Sequence, residues 1–327
     1  MNYPMITGID TPCSQIGLGA LHFGIYLNER EVNNLVNAAI DQGINFFETA
    51  PMYGEGFSEQ LLGQALKGKK DKELIISTKA GLKPVSIKGQ FAVQKARLTA
   101  DYIRQSVESS LTCLARDTID LFQLHAYDDN SPLEETTRVL ESLAKEGKIR
   151  ALGCSNYSPG ELSQTMDAGL KFSTVQCHYN VLERRAGQTL KPMLRKHPIQ
   201  LLCNRTLARG LLSGQYFTLG EIPKQSRAAK SERIKATLTH RVIKVINSLQ
   251  TLAKEWGLSC SQLALRWILS QNAIPLLGVR TLEQLRQCCE AAKSSFSLEE
   301  INRIDQVVKD NNYWDIVNAQ PAHYLEL

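Results

Sequence analysis

Several signals are missing from this chain, and each absence removes a class of function. No apolar run approaches the length needed to cross a membrane. The start, Met1-Asn2-Tyr3-Pro4, has neither the basic segment nor the apolar stretch of a secretory signal. None of the eight cysteines belongs to a Cys-x-x-Cys pair, and no metal site is assigned. Cys154, Cys177 and Cys203 lie inside apolar runs, where a buried thiol is the ordinary reading. A reducing cytoplasm is the expected home, with no membrane partner. A basic stripe is missing too: the net charge of +5 is mild, and Lys and Arg are interspersed with Asp and Glu. Nucleic acid is therefore not an expected partner, although a local basic patch serving phosphate groups stays open.

A dinucleotide fingerprint is also absent. Residues 16–20 (Ile-Gly-Leu-Gly-Ala) read as a short first strand, but His22 stands where a third glycine belongs. No helix start follows at the required distance. Gly17 and Gly19 are read as allowing close packing or close approach to a ligand.

What is present is a long alternation of strands and helices. The 327 residues, 43% hydrophobic, suffice for one large α/β domain or two smaller ones. Helical spacing of apolar residues runs over 30–42, and Ile44 to Glu48 reads as a buried strand broken by Pro51 and Gly54. A helix is expected from about Ser58 to Leu66, then a strand, Leu74 to Thr78, that delivers Lys79. Residues 81–98 read as a long basic loop carrying Lys83, Lys88, Lys95 and Arg97. Asp101 to Leu114 is helical, and Ile119 to Leu124 is a strand ending at His125. Pro132 opens a helix that Gly147 stops. Strands follow at Ile149 to Gly153, Thr174 to Cys177, Ile199 to Cys203 and Ala273 to Leu277. Helices are expected at 159–168, 187–196, 238–256, 260–271, 281–293 and 298–309, with a polar connection over 204–235.

About eight strands alternating with helices predict a (β/α)₈ TIM barrel, an α/β fold in a single domain over residues 1–327. No composition break, internal repeat or low-complexity segment suggests a second domain. The competitor is an open doubly wound sheet, which normally shows phosphate-binding glycines early.

In a barrel, Glu48, Tyr53, Lys79 and His125 all fall at the strands' C-terminal edge, where such folds do their chemistry. Taken singly, each has a bland reading: a surface lysine with its salt-bridge partner, a loop histidine, a packing tyrosine. Taken jointly, they suit proton delivery to a carbonyl that is receiving hydride. A tyrosine ionises near pH ~10, and a neighbouring ammonium favours its phenolate. A carboxylate would hold the lysine, and a neutral histidine would hydrogen-bond the substrate oxygen.

These residues resemble the aldo-keto reductase family over nearly the whole chain. The family's strand-end acid and Tyr-Gly pattern is similar to Glu48-Thr49-Ala50-Pro51-Met52-Tyr53-Gly54, its lysine to Ser77-Thr78-Lys79 and its histidine to Leu124-His125. Leu152 to Tyr157 resembles its Ser-Asn segment, Val175 to Asn180 its Gln-containing strand, Leu207 to Gly214 its pyrophosphate loop and Pro275 to Thr281 its adenosine-phosphate segment. The resemblance implies extended binding of NADPH and reduction of a small-molecule aldehyde or ketone. By the same resemblance, Tyr53 is the proton donor, Lys79 lowers its pKa, Glu48 holds Lys79 and His125 orients the carbonyl. Ser155, Asn156 and Gln176 face the nicotinamide carboxamide. Leu207, Arg209, Leu211 and Ser213 line the pyrophosphate, and Gly278, Arg280, Thr281 and Gln284 lie at the 2′-phosphate end. Arginine there favours NADPH over NADH.

The chain also departs from that pattern. Glu48 replaces the family's Asp, Asn204 replaces an aromatic residue that stacks on nicotinamide, Arg205 and Thr206 replace a Ser-Pro pair, and Cys288 replaces an adenine-contacting asparagine. These changes keep two alternatives open: a nicotinamide-binding sensor or scaffold subunit with vestigial redox activity, and a reductase of an alkene or a transiently oxidised sugar. Tyr26, Tyr127, Tyr313 and Trp314 are candidates for pocket walls, with aromatic packing equally in play. No interface signature sets the oligomeric state.

Overall fold

The computed structural model describes residues 3–311, except 71–72, 88–89, 217, 219–221, 225 and 227. Tyr313, Trp314 and Lys88 therefore lie outside the described residues.

The strands are β1 (Gly17–Gly19), β2 (Phe46–Glu48), β3 (Ile75–Ala80), β4 (Leu82–Ile87), β5 (Gln90–Lys95), β6 (Ile119–Leu124), β7 (Ile149–Ser155), β8 (Thr174–His178), β9 (Gln200–Asn204) and β10 (Ala273–Leu277). The helices begin with α1 (Glu29–Asp41), α2 (Phe57–Leu66), α3 (Ala100–Leu114), α4 (Leu133–Lys145), α5 (Pro159–Asp167) and α6 (Arg185–Leu194). The second group is α7 (Glu232–Thr237), α8 (His240–Glu255), α9 (Cys260–Leu269), α10 (Leu282–Ala291) and α11 (Leu298–Asp310).

Eight strands close into a parallel barrel in the order β1-β10-β9-β8-β7-β6-β3-β2. β1 closes the ring by pairing with both β2 and β10. The expected barrel is therefore the observed one, and the open sheet is excluded. Helix starts follow local chemistry. Asn28 and Glu31 form a reciprocal capping box on α1, and Ser158 with Glu161 does the same on α5.

Strand periodicity sorts the side chains. In β2, Phe46 packs inside the barrel, Phe47 packs outward against the helix layer, and Glu48 returns inward. Phe46, Ile75, Leu121, Leu202 and Ile274 fill the interior together with Ile6, Ile9 and Cys13 from the N-terminal segment. This apolar plug leaves the polar residues to the opposite, C-terminal end. The glycine expectation resolves both ways. A Cβ on Gly17 would come within 2.8 Å of Phe46 and 2.9 Å of Leu276, a packing constraint. One on Gly19 would lie 3.3 Å from a Glu48 carboxylate oxygen, so that glycine makes room beside the site.

Two expectations need correction. Residues 81–98 are not a long loop: β4 and β5 pair antiparallel, from Leu82 opposite Lys95 to Ile87 opposite Gln90. The strand-forming Val85, Ile87, Phe91 and Val93 flank Lys88-Gly89, which is a hairpin pattern that the basic charge obscured. The 204–235 connection also holds structure, a 3₁₀ segment at Ala208–Ser213 and the short helix α7. Cys154, Cys177 and Cys203 are buried, as read; seven of the eight cysteines are buried in all, and all eight are free. Among the described residues no His, Cys, Asp and Glu group is arranged to hold a metal. Among the described residues no helix is long and apolar enough to span a membrane.

Candidate active site

The four strand-end residues converge. Glu48 closes β2, Lys79 lies in β3, His125 follows β6, and Tyr53 begins a short 3₁₀ turn after β2. Lys79 is fully buried. Its ammonium donates to the Thr49 carbonyl at 2.8 Å, to Tyr53 Oη at 3.2 Å and to Glu48 Oε1. Tyr53 Oη in turn donates to Glu48 Oε1 at 3.3 Å. Glu48 also accepts from Gln176 Nε2 at 3.4 Å, which joins this cluster to β8. The His125 ring meets the Tyr53 ring edge-on, with centroids 6.2 Å apart.

Burial and neighbouring charge set the protonation of this cluster. His125 is held well below its usual range, first by burial and then by the Lys79 charge, so it is neutral at pH 7. Lys79 is pulled down by burial and pushed back up by Glu48. Tyr53 is held well above its ordinary value by burial, then by the Glu48 carboxylate. The sequence reading expected Lys79 to lower the tyrosine. The longer side chain of Glu48 reaches the phenol oxygen itself, and a carboxylate there favours the protonated phenol.

The β7–β10 side of the mouth gathers most of the cofactor candidates. Ser155 ends β7, and Asn156 follows it at φ 62°, a left-handed conformation that asparagine tolerates. Asn156 Nδ2 donates to the His125 carbonyl at 2.9 Å and to Ser155 Oγ at 3.0 Å, tying this corner to the end of β6. Gln176 Oε1 and Asn204 Oδ1 are buried acceptors without a hydrogen-bond partner. They sit on the adjacent strands β8 and β9, near the ends that face the mouth. Two such orphans are costly unless a donor meets them, and a primary carboxamide is a fitting donor.

Beyond β9, the backbone turns left-handed at Arg205, Ala208, Arg209 and Gly210. Strain of this kind is found at ligand-clasping loops, and alternating backbone conformations form anion-binding nests. Leu207 and Leu211 pack their side chains on the core, so their contribution to such a cradle falls to the backbone. Ser213 Oγ donates to the Gly210 carbonyl at 2.6 Å, and Arg209 lies 3.7 Å from Glu183. At β10, Gly278 is exposed and faces His22, whose Nε2 would lie 3.6 Å from an added Cβ. Arg280 stands 5.4 Å over the Tyr26 ring, while its backbone N–H donates to Gln284 Oε1 at 2.8 Å. Cys288 does not face this surface: it is buried in an apolar cluster, its thiol pushed up to about 12 by burial. These residues fit an extended anionic nucleotide bearing a carboxamide at one end.

Sequence reading missed Glu59 and underused His22. Glu59 had a signal: it shares the inward face of α2 with Leu62, Gly63 and Leu66, so a carboxylate interrupts an apolar stripe. Of the basic loop, Arg97 donates to the Asn130 carbonyl, whereas Lys83 and Lys95 are exposed.

Comparison with known proteins places the fold in a family. The chain is 33% identical over 324 residues to the aldo-keto reductase YhdN of Bacillus subtilis (strain 168), covering 95% of this chain and 94% of that one. It is 32% identical to the L-glyceraldehyde 3-phosphate reductase of Escherichia coli (strain K12), with 92% of each chain covered. The structure of the glycerol dehydrogenase AKR11B4 from Gluconobacter oxydans superposes with a TM-score of 0.84 at 32% identity, covering 95% of this chain and 96% of that one. The profile of the Aldo/keto reductase family matches residues 15–309. The chain belongs to the aldo/keto reductase family, whose activity is NAD(P)H-dependent carbonyl reduction.

Proposed function

We propose that this protein uses NADPH to reduce the aldehyde or ketone group of a small hydroxylated molecule, with Tyr53 as the proton donor. The observation that carries the reading is the sharing of Tyr53 Oη between Lys79 Nζ at 3.2 Å and Glu48 Oε1 at 3.3 Å, at the barrel's C-terminal mouth. A half-buried phenol kept protonated is loaded for donation, and the ammonium beside it stabilises the phenolate left behind. His125, neutral and next to the Tyr53 ring, is suited to donate a hydrogen bond to the carbonyl oxygen and fix its orientation.

Bound NADPH supplies the hydride. Ser155, Asn156, Gln176 and Asn204 would hold its carboxamide; Leu207, Arg209, Leu211 and Ser213 its pyrophosphate; Gly278, Arg280 and Gln284 its phosphorylated adenosine. Arg280 supports NADPH over NADH, because a guanidinium matches phosphate in charge and geometry. The substrate class draws on two relatives named for L-glyceraldehyde 3-phosphate and for glycerol, both three-carbon hydroxylated molecules.

The test needs no substrate. Titration with NADPH and separately with NADH, followed by nicotinamide and tryptophan fluorescence, should show tight binding selective for NADPH. Failure to bind either nucleotide would overturn the oxidoreductase reading and favour a barrel with a non-redox task.

A further inference from the structure

The inward face of α2 carries a charge that the reading above leaves unused. Glu59 is 1% exposed, and a carboxylate so deep is costly without partners. Its partner is the residue before the lysine: Thr78 Oγ1 donates to Glu59 Oε1 at 2.6 Å. Alternation along β3 turns Thr78 to the helix layer and Lys79 to the barrel interior. The carboxylate therefore stands behind the strand that carries Lys79.

Its surroundings are tied down. Ser58 Oγ donates to the Ala20 carbonyl at 2.8 Å and lies 2.9 Å from Thr49 Oγ1. The Thr49 carbonyl is the same group that accepts from Lys79. The first turn of α2, the end of β2 and the lysine thus form one hydrogen-bonded block. Glu59 lies in that first turn, where the helix dipole favours negative charge. Burial raises its pKa, and Thr78, Ser110 and then Lys79 pull it back. On Lys79 the action is reciprocal: burial pulls it down, and Glu48 and Glu59 push it up. The remaining titratable neighbour is Cys113 on α3, whose thiol burial and Glu59 both raise.

We propose that Glu59 is a positioning residue: held behind β3 by Thr78, its carboxylate supplies the second negative charge that keeps Lys79 an ammonium in a pocket closed to water. Glu48 compensates the lysine from the barrel interior, and Glu59 does so from the helix layer. With Glu59 neutralised, Lys79 loses its proton at lower pH, and Tyr53 loses the cation beside it. The catalytic consequence rests on the reductase reading; the charge state of Lys79 does not.

The experiment uses the full chain with lysine enriched in ¹³Cε. The Lys79 signal is the one that vanishes in Lys79→Met, and its shift is followed through a pH titration. Glu59→Gln should lower the Lys79 midpoint by ~1 unit or more, while Glu59→Asp should restore most of the difference. Thr78→Val, which keeps the charge but releases the carboxylate, should lower the midpoint by less. If Glu59→Gln does not fold, Thr78→Val carries the test alone. An unmoved midpoint in whichever variant is folded overturns the proposal. A failed reductase reading appears elsewhere, as wild-type protein that does not bind NADPH.

Discussion

The two sides of the barrel mouth are finished to different degrees. Around Lys79, at the ends of β2 and β3, polar groups satisfy one another: Lys79 has three acceptors within the protein, and Tyr53 shares Glu48 with it. On β8 and β9, Gln176 Oε1 and Asn204 Oδ1 are buried with no partner. The next loop is wound left-handed at four positions from Arg205 to Gly210. On the proposed reading, the difference teaches that the proton-handling cluster is assembled by the fold alone, whereas the other half leaves acceptors for a bound ligand to meet. A cluster of mutually bonded charges holds its geometry before any ligand arrives, as preorganised catalysis requires. Unsatisfied acceptors and strained backbone store a cost that binding relieves.

If this division is sound, substitutions on one side should change turnover and those on the other should change affinity. Arg280→Ala should raise the NADPH dissociation constant by ~10- to 100-fold, the worth of a charge-assisted phosphate contact, with little effect on NADH. Equal weakening of both nucleotides would remove Arg280 from the phosphate end. A smaller effect is expected from Glu48→Asp, which retains a carboxylate for Lys79 but withdraws it from the phenol. Turnover should change by less than about tenfold, well short of the loss expected from removing a general acid. The sign of its pH dependence follows from the site. Burial and then Glu48 raise the Tyr53 pKa; on the proposed role reduction needs the protonated phenol, so activity should be lost as pH rises through that value. Withdrawing the carboxylate should move the alkaline limb to lower pH. Complete loss of turnover, or a limb moving to higher pH, would blur the comparison by giving Glu48 a separate chemical task.

The same division explains what the sequence disclosed. Glu48, Lys79 and His125 were readable because strand runs such as Leu74 to Thr78 and Ile119 to Leu124 announce their ends, and a parallel barrel puts those ends on one face. The β4–β5 hairpin was not read, because its charges drew attention from a two-residue alternation around Lys88-Gly89. The net direction of the Tyr53 shift, set first by burial and then by Glu48, was not legible for a different reason. One added methylene on Glu48 matters only through its distance to Tyr53 Oη, 3.3 Å, and no spacing in the chain encodes that. Glu59 interrupts the apolar stripe of α2, but what it does was not legible, because its partner Thr78 is nineteen residues away along the chain. Conversely, Cys288 drew attention in the sequence as a departure, yet its side chain lies in the core.

The most direct test of the account combines both sides of the mouth in one variant. Tyr53→Phe removes the proton and almost no volume. Measured together on DL-glyceraldehyde reduction and on NADPH binding, it should lose ~10²- to 10⁴-fold in kcat while its NADPH dissociation constant stays that of the wild type. Full turnover in Tyr53→Phe would contradict the central claim that this phenol, held between Lys79 and Glu48, delivers the proton.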